Sequence, residues 1–363
     1  MDRLNDQGHC LHVNHRPQPR LSFALTRESA MRLLIAGPLA GGSLPVARAT
    51  ASAFTSLGYE SVFIDYSPFA DEFRKIMASG NDHYKMAFVG ALERVLIDRI
   101  DKDKPDILLG IAQSPLFSEG LLDNLRKLGI ITLYWFVEDF RVLTYWKRIA
   151  PHFDIFFSIQ TGAFVKALAE AGANNHYYLP VAFDNNFDEF PVQSGTRTPL
   201  CFMGSPYPNR IRVFETLAPY NLKIYGEGWD RRPIPGVTEG NRWISESEVR
   251  SIYRNAEINL NLHSSMDRDT IGGDFVNPRT FELAGMGCFQ LCDRRELLPP
   301  LYSEDEVVQF GDEAELIEKI EYYMEHEGER KEVAKNARRR TLKHHLYEHR
   351  VVEIMNAVNN LSR

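Results

Sequence analysis

The sequence predicts an α/β protein made of two doubly wound domains that face a central cleft. Three observations carry this. A βαβ unit opens at Met31, strand–helix alternation then repeats along the chain, and a polar break over 184–199, with Pro191, Gly195 and Pro199, separates two similar series. Strands alternating with helices of ordinary length imply parallel sheets joined by right-handed crossovers.

In the first series, Leu33-Leu34-Ile35-Ala36 is a buried strand and Gly37–Ser43 a glycine-rich turn. A helix over Val46–Leu57 and a strand over Ser61–Asp65 complete the first unit. The amphipathic stretch Met86–Ile100 leads to the strand Ile107–Gly110, and a helix over Glu119–Leu128 to the strand Ile130–Trp135. A helix over Phe140–Ile149 follows, then the strand Asp154–Ser158, a helix over Phe164–Ala171 and the strand His176–Leu179.

The second series has strands at Leu200–Met203, Leu222–Tyr225, Ile258–Leu262, Cys288–Cys292 and Val307–Phe310. Helices are predicted over Asn209–Leu217, Glu246–Arg254, Arg279–Met286 and Glu313–His326, before a long charged helical stretch from Gly328 to Asn359. The boundaries that result are a mobile leader over 1–30, a first domain over 31–185, a second over 199–340, and a final helix over 341–363.

The bulk numbers narrow the function. A chain of 363 residues with 44% hydrophobic and 25% charged residues suits two soluble domains. A net charge of -7 argues against nucleic-acid binding by phosphate neutralisation, and the basic run from Lys331 to Arg340 reads as a solvated or interdomain helix. The four cysteines, Cys10, Cys201, Cys288 and Cys292, form no disulfide framework and lack the partners of a zinc site. No apolar run is long enough to span a bilayer, and the polar first 30 residues do not read as a signal peptide. A cytoplasmic location is therefore expected.

The most informative segment is Asn277-Pro278-Arg279-Thr280-Phe281-Glu282. Asn277 suits an N-cap, and Pro278 suits the first helical position, where its missing N–H costs nothing. Helix N-termini attract phosphate, and Arg279 adds a positive charge beside this one. Glu282 lies on the same face three residues on and is placed to meet a ribose hydroxyl pair. The segment equally fits a capped helix with an Arg–Glu surface pair.

Other candidates sit at carboxyl ends of strands, where open α/β sheets bind ligands. Gly41 and Gly42 follow the first strand and form an acceptor-side loop or a packing turn. Glu138 and Asp139 end Trp135-Phe136-Val137-Glu138-Asp139, where a carboxylate acts as a general base or caps the next helix. Gly204 and Arg210 follow the first strand of the second series and suit a phosphate; Gly226 suggests a nearby base or ribose. Asn259, Asn261 and His263 share one strand face, and His263 is placed to touch donor phosphate or to be a satisfied structural histidine. Asp267 and Asp269 admit a magnesium ion, but a solvated loop explains them more cheaply.

From Met31 onward the chain resembles glycosyltransferases of the two-Rossmann (GT-B) type, and more closely the CgeB-like group within the family 1/4-like set. The residues that carry the likeness are Trp135–Asp139, Leu179-Pro180-Val181-Ala182, Tyr225-Gly226-Glu227-Gly228-Trp229, Asn259–His263 and Arg279–Gly287. The resemblance implies transfer of a sugar from a nucleoside diphosphate to a hydroxyl on a glycan, protein or small molecule. It places the donor on the second domain and the acceptor on the first. It implies that Glu282 meets the ribose, that Arg279 faces phosphate, and that no metal or other cofactor is needed. It also implies that the last helix crosses back to the first domain. Retaining relatives carry two glutamates eight positions apart; here the earlier position is Asp274, so the stereochemical course stays open. Two rival functions remain: a non-catalytic nucleotide-sugar or glycan-binding module, and a nucleotide-sugar epimerase.

Overall fold

A computed structural model describes residues 31–115, 118–188, 197–231, 234, 242, 244–361 and the backbone of 237–240. The expected leader over 1–30 and residues 189–196 of the predicted linker lie outside the described residues.

The first sheet contains β1 (Arg32–Ala36), β2 (Glu60–Ile64), β3 (Ile107–Ile111), β4 (Ile131–Phe136), β5 (Ile155–Ser158) and β6 (His176–Tyr178). Its order is β2-β1-β3-β4-β5-β6 and every pairing is parallel. The helices around it are α1 (Ser43–Ser56), α2 (Ala70–Ser79), α3 (Asp82–Asp103), α4 (Glu119–Lys127), α5 (Trp146–Ile149) and α6 (Ala163–Glu170).

Residue alternation splits this sheet's burial between two faces. Leu33, Ile35, Leu109, Trp135 and Phe157 belong to one cluster, which includes Val46 and Phe54 of α1. Leu34, Leu108, Tyr134, Phe136 and Phe156 belong to the other, with Leu92 and Leu96 of α3 and Phe164 of α6.

The second sheet contains β7 (Thr198–Met203), β8 (Leu222–Gly226), β9 (Val237–Gly240), β10 (Ala256–Asn261), β11 (Gln290–Asp293) and β12 (Val308–Phe310). Its order is β12-β11-β10-β7-β8-β9, again wholly parallel. The helices here are α7 (Pro208–Thr216), α8 (Glu246–Asn255), α9 (Pro278–Gly285), α10 (Glu313–Glu325) and α11 (Glu327–His344). A final helix, α12 (Tyr347–Leu361), leaves this domain and packs along α1.

Three differences from the sequence reading have physical causes. The segment after β4 is a tight turn held by Asp139, so only the four residues of α5 are helical where a ten-residue helix was expected. The charged C-terminal stretch is two helices rather than one. At the break, the His345 ring packs between Phe281 and Tyr302, donates to the Leu301 carbonyl and accepts from Arg350. Burial and the Arg350 charge push the His345 pKa down to about 2, so it stays neutral in this role. Helix α2 and strand β9 were not anticipated; α2 buries no residue, which leaves its pattern weak.

The crossing chain ties the domains together. Arg350, buried on α12, donates to the carbonyls of Pro180 and Val181 at the exit from the first domain. Phe183 pairs with Leu346, and its ring lies where a side chain at Gly285 would stand. One apolar cluster therefore runs from β1 through α12 into α9.

Candidate functional site

Each sheet has a topological switch point, where successive connections leave in opposite directions and the strand ends splay apart. In the second sheet it lies between β7 and β10. Gly204 ends β7 with φ +148°, and Gly226 ends β8 with φ +131°. A Cβ on Gly226 would stand 2.7 Å from the Gly204 carbonyl oxygen, which already accepts from the Trp229 indole at 2.7 Å. These glycines bring two strand ends together as no other residue could.

Into that corner come two guanidinium groups. Arg210, buried on α7, donates from Nε to the Leu262 carbonyl at 3.0 Å and from Nη1 to the Ser205 carbonyl at 3.0 Å. Arg279, in the first turn of α9, donates from Nε to the Tyr253 hydroxyl at 2.9 Å. Both lie over the Phe202 ring, and one nitrogen of each would be 3.3 Å from a Cβ built on Gly204. Among the described residues no carboxylate bonds Arg210. Burial, with Arg279 and Arg295 nearby, pulls its pKa down to about 9. For Arg279 burial acts the same way, but Tyr253 and Glu282 more than offset it and its pKa is raised. The corner is short of negative charge, which is what an anion site requires.

Beneath it a buried network aims the start of α9. The His263 ring is fully buried: Nδ1 donates to Asp293 Oδ1 at 2.7 Å, while Nε2 accepts the Asn277 backbone N–H at 2.9 Å. That pattern fixes a neutral imidazole with its proton on Nδ1. Burial and three nearby arginines hold its pKa well below the usual value. Asp293 also accepts from the His263 and Gly272 backbones and pairs with Arg295. Gly273, at φ +149°, gives Arg295 room, since a Cβ there would meet its Nη1 at 2.5 Å. Asn277 caps α9 through Thr280 and donates to Asn261, which in turn bonds Thr280 and Gln290.

The first sheet contributes the opposing wall. Glu138, at the end of β4, accepts from Gln113 Nε2 at 2.8 Å. Burial pushes its carboxyl up to about 7, with the Gln113 bond opposing and Asp139 adding to the rise. Gln113 follows β3 in the left-handed region at φ +61°, with its backbone N–H on the Tyr145 hydroxyl. Asp139 holds Arg141 in two-point fashion, at 2.8 and 3.0 Å, and accepts the Arg141 backbone N–H. Arg141 then reaches Asp274 of the second domain at 2.8 Å, and the buried Gln160 reaches the same oxygen at 3.2 Å. The carboxyl edges of the two sheets thus meet across one cleft.

Two sequence expectations are corrected by these contacts. His263 was a catalytic candidate, but both its nitrogens are engaged inside the protein, so it positions α9 and the loop before it. Asp139 was a candidate base, but Arg141 holds both its oxygens, leaving Glu138 as the carboxyl at this edge. Asn277 spends its side chain on capping, the structural alternative of the sequence reading.

Asp274 lies in the cleft but is turned towards the first domain. Glu282 is half-buried, and burial raises its pKa against the pull of Arg279. It lines a cavity of about 170 Å³ with Pro45, Val46 and Tyr347. Gly41 and Gly42 are exposed at the start of α1, with Gly41 facing Gln113.

Asp267 accepts from the Asp269 backbone and the Thr270 hydroxyl, which makes it a turn residue. Among the described residues, one buried trio with metal-ligand atoms stands within 4.8 Å: His263, Cys292 and Asp293. The Asp293–Arg295 pair already neutralises that carboxylate, and burial raises the Cys292 thiol to about 12, so the trio fits a structural role.

Sequence reasoning missed Arg295, Asp293, Tyr253, Gln113 and Gln160. A signal existed for two of them: Asp293-Arg294-Arg295 places three charges directly at the end of an apolar strand.

Residues 210–356 match a protein-family profile described as glycosyl transferase-like. No curated protein sequence matches the chain. Among solved structures, sucrose-phosphate synthase from Thermosynechococcus elongatus superposes with a TM-score of 0.61 at 13% identity, over 91% of this chain and 98% of that one. HepE from Anabaena, in complex with UDP-glucose, gives 0.57 at 11% identity over 92% and 99%. An α1,3-fucosyltransferase gives 0.50 at 10% identity over 92% and 91%. At such identities the likeness is one of fold. The chain has two parallel-sheet, Rossmann-like domains in the GT-B arrangement, and residues 210–356 resemble a glycosyltransferase-like domain.

Proposed function

We propose that this protein is a glycosyltransferase that moves a sugar from a nucleoside diphosphate donor to a hydroxyl acceptor. The observation that carries the reading is the meeting of Arg210 and Arg279 at Gly204, at the switch point of the second sheet. The guanidinium pair and the start of α9 hold the diphosphate, and Glu282 holds the ribose. As the acceptor oxygen bonds to the anomeric carbon, the bond to the diphosphate oxygen breaks with its electron pair. The two arginines stabilise the charge that develops there. Glu138 takes the acceptor's proton; a carboxyl raised to about 7 is matched to that task near neutral pH.

Arginines and a helix terminus in this corner support a reaction that needs no metal. The CgeB-like assignment rests on the motifs quoted above. A cytoplasmic location belongs to the same proposal, consistent with the fact that among the described residues no helix is long and apolar enough to cross a membrane.

The test is thermal-shift screening against UDP, GDP, ADP, CMP and dTDP, with Glu282→Ala as control. UDP is the first choice because HepE is seen with UDP-glucose. Selective stabilisation by one diphosphate, weakened more than tenfold in the variant, is the expected result. Binding without any donor cleavage in the presence of acceptor extracts would favour the binding module. Interconversion of the donor sugar with no acceptor present would favour the epimerase.

A further inference from the structure

A cavity of about 1180 Å³ lies in the first domain. It exceeds the usual ~300–1,000 Å³ of small-molecule pockets. Its place is the switch point of the first sheet, between β1 and β3, where the Gly41 loop and Gln113 form one wall. The opposite wall is α2 and α3, whose Phe73 and Phe88 rings stack 6.1 Å apart.

The lining is mainly apolar: Leu39, Phe73, Met77, Phe88, Val89 and Leu92. Apolar side chains also stand at its rim in water, with Met86 71% and Met77 48% exposed. Lys85, Glu93, Glu119 and Arg148 also line the cavity, so charged groups can meet a polar end, but most of the surface is hydrocarbon, and sugar hydroxyls laid along that part would lack partners. Gly90 of α3 also lines the space, and a Cβ built on it meets nothing within 4 Å. Glycine is the weakest helix former after proline, so this interior position gives up helix stability where any side chain would have room to grow.

The cavity borders the proposed reaction centre through Gln113 and Tyr145. Gln113 lines it and also donates to Glu138; Tyr145 lines it and accepts from the Gln113 backbone. A molecule filling the cavity therefore lies one side chain, Gln113, from the Glu138 carboxyl.

We infer that the acceptor is an amphiphilic alcohol, with its hydroxyl at Glu138 and a long apolar body in the cavity between α2 and α3. This rests on the transferase reading above and names the class of acceptor for that same site.

The test uses the full-length protein and calorimetric titration with hexyl, heptyl and octyl β-D-glucoside, each below its micelle-forming concentration. UDP binding is measured in parallel. The expected result is a Kd that falls by roughly fourfold with each added methylene, as burial of one CH₂ requires. Gly90→Leu should keep UDP binding and helical content while weakening octyl glucoside at least tenfold. UDP binding with no chain-length dependence, or with equal glucoside affinity in Gly90→Leu, would overturn the inference and leave the donor site standing. Glucoside binding with no nucleotide binding would remove the acceptor role together with the transferase reading. A dimer dissociated by Met86→Glu, with no glucoside binding, would mean that a second copy covers this face, and would also overturn the inference.

Discussion

Replacing Glu138 by glutamine removes one titrating proton and leaves the side chain's shape and its bond to Gln113 in place. In the folded protein this carboxyl releases its proton at about 7, against 4.5 for an unperturbed glutamate. Between those values the folded state holds a proton that the unfolded chain has given up, so folding becomes less favourable as pH rises through that window. At ~1.4 kcal/mol per pKa unit, the full excursion is on the order of 3 kcal/mol. Glu138→Gln escapes this loss. Urea denaturation of both proteins at pH 4.5 and pH 8 checks the difference, because effects common to both cancel in the comparison. The variant should gain on the wild type by about 2–3 kcal/mol between the two pH values. Transfer activity should show the complementary behaviour: wild-type kcat/KM rises with pH through about 7, and the variant loses both that limb and most of its rate. Parallel pH dependence of stability in the two proteins would refute the burial argument. An unchanged acid limb in the variant would refute the assignment of Glu138 as base.

Three further outcomes follow from the contacts. Asp293→Ala leaves Arg295 buried without its partner and His263 without its orienting acceptor, which should cost about 3–5 kcal/mol in urea denaturation; a loss below ~1 kcal/mol would contradict the buried-pair argument. Gly226→Ala places a methyl 2.7 Å from the Gly204 carbonyl in a left-handed conformation, so it should destabilise by ~1–3 kcal/mol and weaken UDP binding, as read by melting with and without nucleotide. Arg141→Ala removes a half-exposed link to Asp274 and should change stability by less than ~1 kcal/mol, yet raise the radius of gyration in solution scattering by letting the cleft open; an unchanged radius would show that the link does not hold the domains.

Local pattern carried much of the architecture. The apolar runs at Leu33–Ala36, Ile107–Gly110 and Ile258–Leu262 are strands because they are short, continuous and bounded by turn residues. Asn277-Pro278 was legible as a helix start because capping is a property of three or four neighbouring residues, and Asn277 does cap α9. Arg279 and Arg210 were picked out on equally local grounds, one beside a helix start and the other in the helix after the first strand of the second series. The turn after β4 was misread because its cause, Arg141 on Asp139, is a side-chain preference that periodicity does not register.

The sequence by itself determined which residues carry charge at the strand ends, and so where chemistry can occur along the chain. Only the tertiary structure decided which of those groups are free to act. His263 and Asp139 have the right chemistry, but their polar atoms are occupied: His263 by Asp293 and Asn277, 30 and 14 positions away, and Asp139 by Arg141, two positions along the same turn. Glu138 differs from its neighbour in having, among the described residues, no arginine on it: it is held by Gln113, a residue 25 positions away, and burial raises its pKa against that bond, with Asp139 adding to the rise. Desolvation and hydrogen bonding depend on what surrounds a group in space, and strand order brings together residues that no local pattern connects.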